Sequence, residues 1–163
     1  KNQEECVDQT PSYDFDDERK LVFVGDQSVG KTQLIQRFVN GTFSEKYKPT
    51  NGAVKYSKAM KLASTGGIFT FEIWDISGNE MFHNLANIYF RDADAIFLIF
   101  DCTKKESMRS LRENWVQEIK EKAPETVQLL VLGNKSDLNE EEGQVSTKEL
   151  SEFANQCGAR YKF

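Results

Sequence analysis

Residues 25–32 read GDQSVGKT and match the pattern G-x-x-x-x-G-K-[ST] in full. An apolar run at residues 21–24 precedes this stretch, and a helical pattern at residues 34–39 follows it. A strand, a glycine-rich loop and a helix in this order predict a phosphate-binding loop, whose backbone N–H groups converge on an anion at the helix N-terminus. Lys31 would reach the outer phosphates, and the Thr32 hydroxyl would ligate Mg²⁺.

The rest of the chain alternates apolar runs with helical patterns, which predicts an α/β fold built on a mostly parallel sheet. One helical pattern begins at Lys31 and ends near Asn40, and Ser146 with Glu149 resembles a capping box that opens another helix. We expect a six-stranded sheet with helices on both faces and one antiparallel edge strand, formed by a hairpin. The expected strands cover residues 21–24, 53–63, 68–76, 95–100, 129–132 and 159–163.

Composition limits the classes of partner. The chain has 163 residues and 39% apolar content, which suits one domain with a sizeable core. A net charge of −5 and a pI of about 5.1 argue against nucleic acid or anionic lipid as the main partner. The odd number of cysteines, with no metal-ligand spacing, favours a reducing, cytoplasmic setting. No apolar stretch is long enough to cross a membrane, so the sequence predicts a soluble protein.

The run Asn134-Lys135-Ser136-Asp137 follows an apolar strand, which places it at the carboxyl edge of the sheet, where ligands bind in open α/β folds. An ionised Asp137 only accepts hydrogen bonds, and guanine offers two adjacent donors. Adenine lacks that pair of donors, so a buried Asp137 would select guanine and disfavour an ATP-using enzyme. Asn134 would tie this segment to the phosphate-binding loop, and the Lys135 stem would cover one face of the base.

Two further segments lie between these motifs. Asp75 and Gly78 form a D-x-x-G pattern at a strand end, where Asp75 would hold Mg²⁺ through water and the Gly78 N–H would approach a γ-phosphate. The loop at residues 41–50 contains Thr50, which would complete the Mg²⁺ shell only when a γ-phosphate is present. Phe43 would cover the base, and Tyr47 would cover the phosphates. Without the glycine-rich loop, residues 41–50 would be interpreted equally well as an ordinary surface loop.

Together these motifs resemble the Ras superfamily of small GTPases from about residue 20 to residue 163, and residues 89–93 are similar to the YYRGA segment of the Rab family. The resemblance implies a P-loop G domain that cycles between GDP and GTP with Mg²⁺, in membrane trafficking or signalling. It also implies exchange factors, activating proteins and effectors as partners. Any membrane attachment would depend on a tail that this sequence does not contain.

The motifs and the resemblance together assign three groups of candidate site residues. The metal ligands would be Thr32, Thr50 and Asp75, and the catalytic residues would be Lys31, Thr50, Gly78 and Asn79. The nucleotide-binding residues would be Gln27, Ser28, Val29, Gly30, Lys31, Thr32, Gln33, Phe43, Tyr47, Asn134, Lys135, Asp137 and Leu138.

The departures from the family pattern carry expectations of their own. Asn79 stands where the family has the glutamine that orients the attacking water, and its stem is one methylene shorter, so we expect slow GTP hydrolysis. The alternative is a hydrolysis-deficient pseudo-GTPase that acts as a protein-binding scaffold. Lys55 stands where Rab proteins have an effector-facing phenylalanine. Because the family continues past residue 163 with a Ser-Ala-Lys loop and a last helix, residues 19–163 are expected to form a G domain truncated at its C-terminus, after an acidic extension at 1–18.

Overall fold

The computed structural model describes residues 18–61, 66–79, 81, 83–138 and 145–162, without the side chains of residues 83–85. The predicted acidic extension, apart from Glu18, lies outside the described residues. The first part of the expected hairpin connection at residues 64–67 also lies outside them.

A single six-stranded sheet forms the centre of the described structure. Its strands are β1 (Glu18–Val24), β2 (Ala53–Lys61), β3 (Ile68–Ile76), β4 (Ala95–Asp101), β5 (Gln128–Asn134) and β6 (Arg160–Lys162). They lie in the order β2-β3-β1-β4-β5-β6, and every neighbouring pair is parallel except β2 with β3. The prediction of a mostly parallel sheet with one antiparallel edge strand is therefore confirmed.

Helices connect the strands. They are α1 (Lys31–Asn40), α2 (His83–Phe90), α3 (Lys105–Ser110), α4 (Val116–Lys122) and α5 (Thr147–Cys157), with a π-helical turn at Leu111–Trp115 between α3 and α4 and a 3₁₀ turn at Ser136–Leu138. The parallel strands require such crossovers, because consecutive parallel strands cannot be joined by a tight turn.

The predicted capping box opens α5. Ser146 Oγ accepts a hydrogen bond from the Glu149 N–H at 3.2 Å, and Glu149 Oε2 accepts one from the Ser146 N–H at 2.8 Å. Hydrogen bonds from Lys105 and then from Ser146 lower the pKa of Glu149 to about 2. The contribution of the Glu149 carboxylate to stability is thus present above its ordinary pKa and is lost only as the pH falls toward 2.

Strand β1 begins at Glu18, three residues before the apolar run that predicted it. Residues 18–20 are charged, so the apolar pattern misses them, yet they pair in register with residues 70–72 of β3. Strands β4 and β5 likewise extend beyond their apolar runs, as far as Asp101 and Asn134, which are register partners. The polar ends of these strands lie at the edge of the sheet where the candidate site is found.

The two faces of the sheet are packed differently. Because side chains alternate along a strand, Val22 and Val24 of β1 face one side, and Phe23 faces the other. The first side is buried by residues of α2 to α5 and by Trp115 of the π-helical turn. On the second side, α1 is the only described helix that contributes to the apolar cluster, and Phe23 stacks on Phe97 at 4.4 Å between ring centroids.

The capping box makes a stability prediction. Ser146→Ala should lower the free energy of unfolding by about 1 kcal/mol, because it leaves the Glu149 N–H without its acceptor. Ser151→Ala, inside the same helix, is the matched control and should change it by less than about 0.5 kcal/mol. Urea unfolding at pH 7 measures both values, and equal losses in the two variants would contradict the assignment.

Candidate functional site

A cavity of about 380 Å³ opens at the carboxyl edge of the sheet. Four segments that are distant in sequence line it, namely residues 27–33, residues 43–50, residues 77–78 and residues 134–138. Every predicted nucleotide-binding residue lines this cavity except Val29, whose side chain is buried in the apolar cluster beside α1. The strand order explains the convergence, because the carboxyl ends of parallel strands meet at one edge.

The glycine-rich loop leads into α1 at this cavity. Gly30 is the N-cap residue, with φ +100°, and no side chain caps the helix. The first N–H groups of α1 therefore have no side-chain acceptor and are suited to bind an anion. A Cβ atom at Gly30 would lie 2.2 Å from Asn134 Nδ2, so a larger residue here would separate the two loops.

Lys31 is a buried cation that lines the cavity. Its side chain is 6% exposed, and Nζ donates to the carbonyl oxygens of Gly25 at 2.6 Å and Asp26 at 2.8 Å. Burial lowers the pKa of Lys31 to about 8, against the opposing charges of Asp75 and Asp26. A lysine that is costly to keep charged in the empty protein is suited to meet a polyanion there.

The three predicted metal ligands are in mutual contact. Thr32 Oγ1 lies 2.5 Å from Asp75 Oδ2 and 2.9 Å from Thr50 Oγ1, and Thr50 Oγ1 lies 3.3 Å from Asp75 Oδ2. Asp75 is fully buried, and its other oxygen, Oδ1, has no hydrogen-bond partner among the described residues. Burial raises the pKa of Asp75, while Thr32, Lys31 and Thr50 oppose that rise.

These oxygens fit a hard divalent cation. Mg²⁺ takes oxygen ligands and is usually held by one or two carboxylates together with phosphates and water. The unpartnered Asp75 oxygen is the kind of group that a metal-bound water would satisfy. The described residues contain no cluster of three His, Cys, Asp or Glu side chains, so the hydroxyls of Thr32 and Thr50 are essential to this fit.

The segment after β5 is tied to the glycine-rich loop. Asn134 Nδ2 donates to the Val29 carbonyl at 2.8 Å, which is the contact expected between the two motifs. Lys135 has φ +61°, and its Nζ donates to the Ser28 carbonyl at 3.0 Å. Asp137 lines the cavity and is exposed, so the burial on which selection of guanine would depend is not supplied by the described residues themselves. This carboxylate lies on a turn at the rim, where only a bound molecule would cover it.

Two aromatic side chains stand at the mouth of the cavity. Phe43 is 66% exposed and Tyr47 is 57% exposed, although both line the cavity wall. The loop that carries them is attached to α1, because the Ser44 N–H donates to Gln33 Oε1 at 2.8 Å.

Gly78 and Asn79 follow β3. Gly78 lines the main cavity and packs so closely on the glycine-rich loop that a Cβ atom would lie 2.2 Å from the Asp26 carbonyl carbon. Asn79 does not line this cavity. It lines a second cavity of about 390 Å³, and its Oδ1 accepts a hydrogen bond from the Met81 N–H at 3.0 Å. The structure therefore brings Lys31, Thr50 and Gly78 together at one cavity, while Asn79 lines the adjoining cavity, which shares Gln27 and Gly78 with the first.

Sequence reasoning missed two acidic residues beside the cavity. Asp26 Oδ1 accepts hydrogen bonds from Ser110 Oγ at 2.7 Å and from Trp115 Nε1 at 3.3 Å, which ties the glycine-rich loop to the helix above it. Asp101, at the end of β4, is 1% exposed and pairs with Lys135 at 2.6 Å. The sequence shows only an acidic residue at the end of an apolar strand, much as Asp75 stands one residue before the end of β3. That local pattern does not give the contact with Lys135, which depends on the pairing of β4 with β5.

Within the described part of the chain, no helix is both long and apolar enough to span a bilayer.

Comparison with known proteins gives consistent matches. Residues 20–162 match the model of the Ras family. Ras-related protein Rab-31 of Homo sapiens is 37% identical over 142 residues, which cover 87% of this chain and 71% of that protein. GTP-binding protein YPT52 of Saccharomyces cerevisiae is 38% identical over 135 residues, covering 78% and 57%. Ras-related protein Rab5 of Nicotiana tabacum is 36% identical over 139 residues, covering 85% and 68%.

Burial of Lys31 predicts a pH dependence in the empty protein. Its pKa in the folded state, about 8, is below the ordinary 10.5, so the unfolded chain binds more protons between those pH values. The free energy of unfolding of native protein should therefore rise relative to that of Lys31→Met as the pH increases from 8 to 10.5. Urea unfolding across this range measures the difference. Lys120→Met, which changes an exposed lysine of α4, is the control. Parallel curves for native protein and Lys31→Met would contradict the prediction.

Proposed function

The chain belongs to the Ras family of small GTPases, and from that membership we propose that it is a Rab-like switch that binds GDP and GTP in turn. We further propose that residues 19–163 form one nucleotide-binding domain together with Glu18, which begins β1, and that the acidic segment before Glu18 is an extension outside it.

One observation carries the proposal. The glycine-rich loop, the loop with Thr50 and the segment Asn134 to Asp137 are far apart in sequence, yet all three line one cavity. Groups suited to contact phosphate, metal and base therefore line the same cavity. A chance match to any one motif would not produce this convergence.

The phosphates would be bound by charge and by backbone donors. In this proposal the N–H groups at the start of α1 and the Lys31 ammonium contact the phosphate chain. Lys31 already lies against the loop carbonyls, so it needs little rearrangement to exchange one of those acceptors for phosphate oxygens. The cost of burying its charge is then offset by a strongly anionic partner.

Mg²⁺ would be held by the hydroxyls of Thr32 and Thr50, with Asp75 acting through water, and when bound it neutralises charge on the phosphate oxygens. Hydrolysis transfers the γ-phosphoryl group to water, with cleavage of its bond to the oxygen that bridges it to the β-phosphate. The protein contributes positioning and electrostatic stabilisation to this step. Lys31 and the loop N–H groups stabilise the leaving oxygen, and the Gly78 N–H supports the γ-phosphate.

Base selection would depend on Asp137. This residue lines the cavity on the same side as Asn134 and Lys135, which fix the segment to the glycine-rich loop. A guanine base in the cavity would cover the exposed carboxylate and donate two hydrogen bonds to it. Adenine would cover the carboxylate without donating, which costs several kcal/mol.

Asn79 supports slow intrinsic hydrolysis. Its amide oxygen already accepts from the Met81 N–H, and its side chain lines the second cavity, beside Asp26 and Gln27. To orient an attacking water, the Asn79 amide would have to break its hydrogen bond with the Met81 N–H. Its side chain is also one methylene shorter than that of glutamine. The same observation favours a second candidate function, a scaffold in which bound nucleotide only stabilises the fold.

Regulators and effectors are proposed as partners because Ras-family membership implies them in general. The surface around Trp74 is charged as well as aromatic, so we expect its effector to differ from one that binds a purely apolar patch. Lys55 forms an ion pair with Glu72 and lies 5.8 Å above the Trp74 ring, whose Nε1 donates to Glu72 at 2.5 Å. Trp74 also packs on Tyr89 at 4.5 Å. We propose that this charged and aromatic surface serves membrane trafficking or signalling.

Replacing one carboxylate oxygen of Asp137 by an amide nitrogen tests whether the protein selects guanine nucleotides. Asp137→Asn should weaken GTP binding by about a hundredfold, because the amide replaces an acceptor with a donor that faces the guanine amine. The same variant should bind XTP better than native protein does, since xanthine carries a carbonyl at that position. Competition against a fluorescent GDP analogue measures both, with Glu125→Gln on the surface as the control. Equal affinity of native protein for ATP and GTP would overturn the assignment.

Restoring the missing methylene tests the hydrolysis assignment. Asn79→Gln should accelerate single-turnover GTP cleavage by about a hundredfold, because a small misplacement of a catalytic group costs about that factor in rate and the longer side chain would correct it. Asn79→Ala should cleave GTP at the native rate, because the native side chain contributes little. Rapid cleavage by native protein would contradict slow hydrolysis. No cleavage by any of the three proteins, each loaded with GTP, would favour the scaffold.

A further inference from the structure

A buried acidic residue lies next to the lysine of the base segment. Asp101 ends β4 with 1% of its surface exposed, and its Oδ2 lies 2.6 Å from Lys135 Nζ. Burial alone would raise the pKa of Asp101, but hydrogen bonds from Lys135 and Thr103 outweigh burial, and the pKa is lowered. The Asp101 carboxylate is therefore ionised at neutral pH.

Lys135 joins this acid to the glycine-rich loop. The same Nζ atom that pairs with Asp101 donates to the Ser28 carbonyl at 3.0 Å. Lys135 also has φ +61°, a conformation that a non-glycine residue adopts only with support from its surroundings. Its ammonium group is thus held between two fixed acceptors, one on each side.

The sheet fixes where this acid stands. Asp101 of β4 and Asn134 of β5 are register partners, and the Cys102 N–H donates to the Asn134 carbonyl at 2.9 Å. Lys135 follows Asn134 directly, so strand pairing brings acid and lysine together without dependence on a mobile loop. This gives Asp101 a rigid position from which to orient the lysine.

The two oxygens of Asp101 have separate partners. Oδ1 accepts from the Thr103 N–H at 3.0 Å and from Thr103 Oγ1 at 2.7 Å, which shapes the turn after β4. Oδ2 accepts from Lys135. A structural contribution through Thr103 and a contribution through Lys135 are therefore separable by substitution.

We propose that Asp101 is a positioning residue for nucleotide retention: it holds the Lys135 ammonium against the Ser28 carbonyl and so closes the base side of the cavity. The inference rests on the proposed binding of guanine nucleotide. Without the Asp101 carboxylate, Lys135 loses its counter-charge and turns toward water, and the base segment is then joined to the glycine-rich loop by Asn134 alone. Bound nucleotide escapes faster, while its association is little changed.

The test is a double-mutant cycle on the rate of GDP dissociation, followed with a fluorescent GDP analogue chased by excess GDP. Asp101→Asn retains an oxygen for Thr103 but presents an amide N–H₂ to Lys135, and it should accelerate dissociation by about ten- to a hundredfold, as expected for loss of one charge-assisted hydrogen bond. Lys135→Met should have a similar effect, and the double variant should dissociate within about twofold of Lys135→Met. Thr103→Val, the control, should remain within about twofold of native protein.

The outcomes separate the possible failures. A rate for Asp101→Asn within twofold of native protein, or single effects that multiply in the double variant, would overturn the inference while leaving nucleotide binding intact. Thermal melting in excess GDP verifies that each variant is folded, and Asp101→Ser is the second variant should Asp101→Asn not fold. Native protein that binds no guanine nucleotide would overturn the proposed function and this inference with it.

Discussion

Parallel pairing of four adjacent strands is the constraint on which the site depends. Strands β3, β1, β4 and β5 run in one direction, so Asp75, Gly25, Asp101 and Asn134 all arrive at the same edge of the sheet. The backbone hydrogen bonds between the strands fix the position at which each loop begins, so the loops are already close to one another. The sheet therefore determines where the site residues lie, and the loops supply most of the groups that would contact the ligand.

Burial of charge within this edge links stability to binding. Lys31 and Asp75 are both buried, and in each case burial is the largest influence on the pKa and disfavours the charged form. An Asp75 oxygen lacks any partner among the described residues. Such groups destabilise an empty site, so a ligand that satisfies them stabilises the folded protein by linkage. Asp101 differs from Asp75, because both of its oxygens have hydrogen-bond partners, Thr103 and Lys135.

The fold and the convergence of most candidate site residues on one cavity could be predicted from the sequence, because apolar runs and glycine-rich motifs mark strand ends directly. The pattern could not give the start of β1, where charged residues pair with β3 and contribute no apolar signal. It could not tell whether the protein itself covers Asp137, which is exposed, since burial of a rim residue depends on the ligand as well as on the chain. It also missed Asp101. This residue lies next to Lys135 because β4 and β5 pair with Asp101 opposite Asn134, and local sequence patterns do not contain the register between two strands.

Asn79 is held differently from most of the residues that would bind nucleotide and metal. Most residues that would hold nucleotide and metal stand near strand ends or at the start of α1, while Phe43, Tyr47 and Thr50 lie in the loop between α1 and β2. Asn79 stands in the loop after β3, and its side chain takes part in a local turn with Met81. A change in that loop can therefore alter the rate of hydrolysis without moving the groups that bind. The chain can keep a nucleotide site of ordinary geometry and still differ from its relatives in how long the bound state persists.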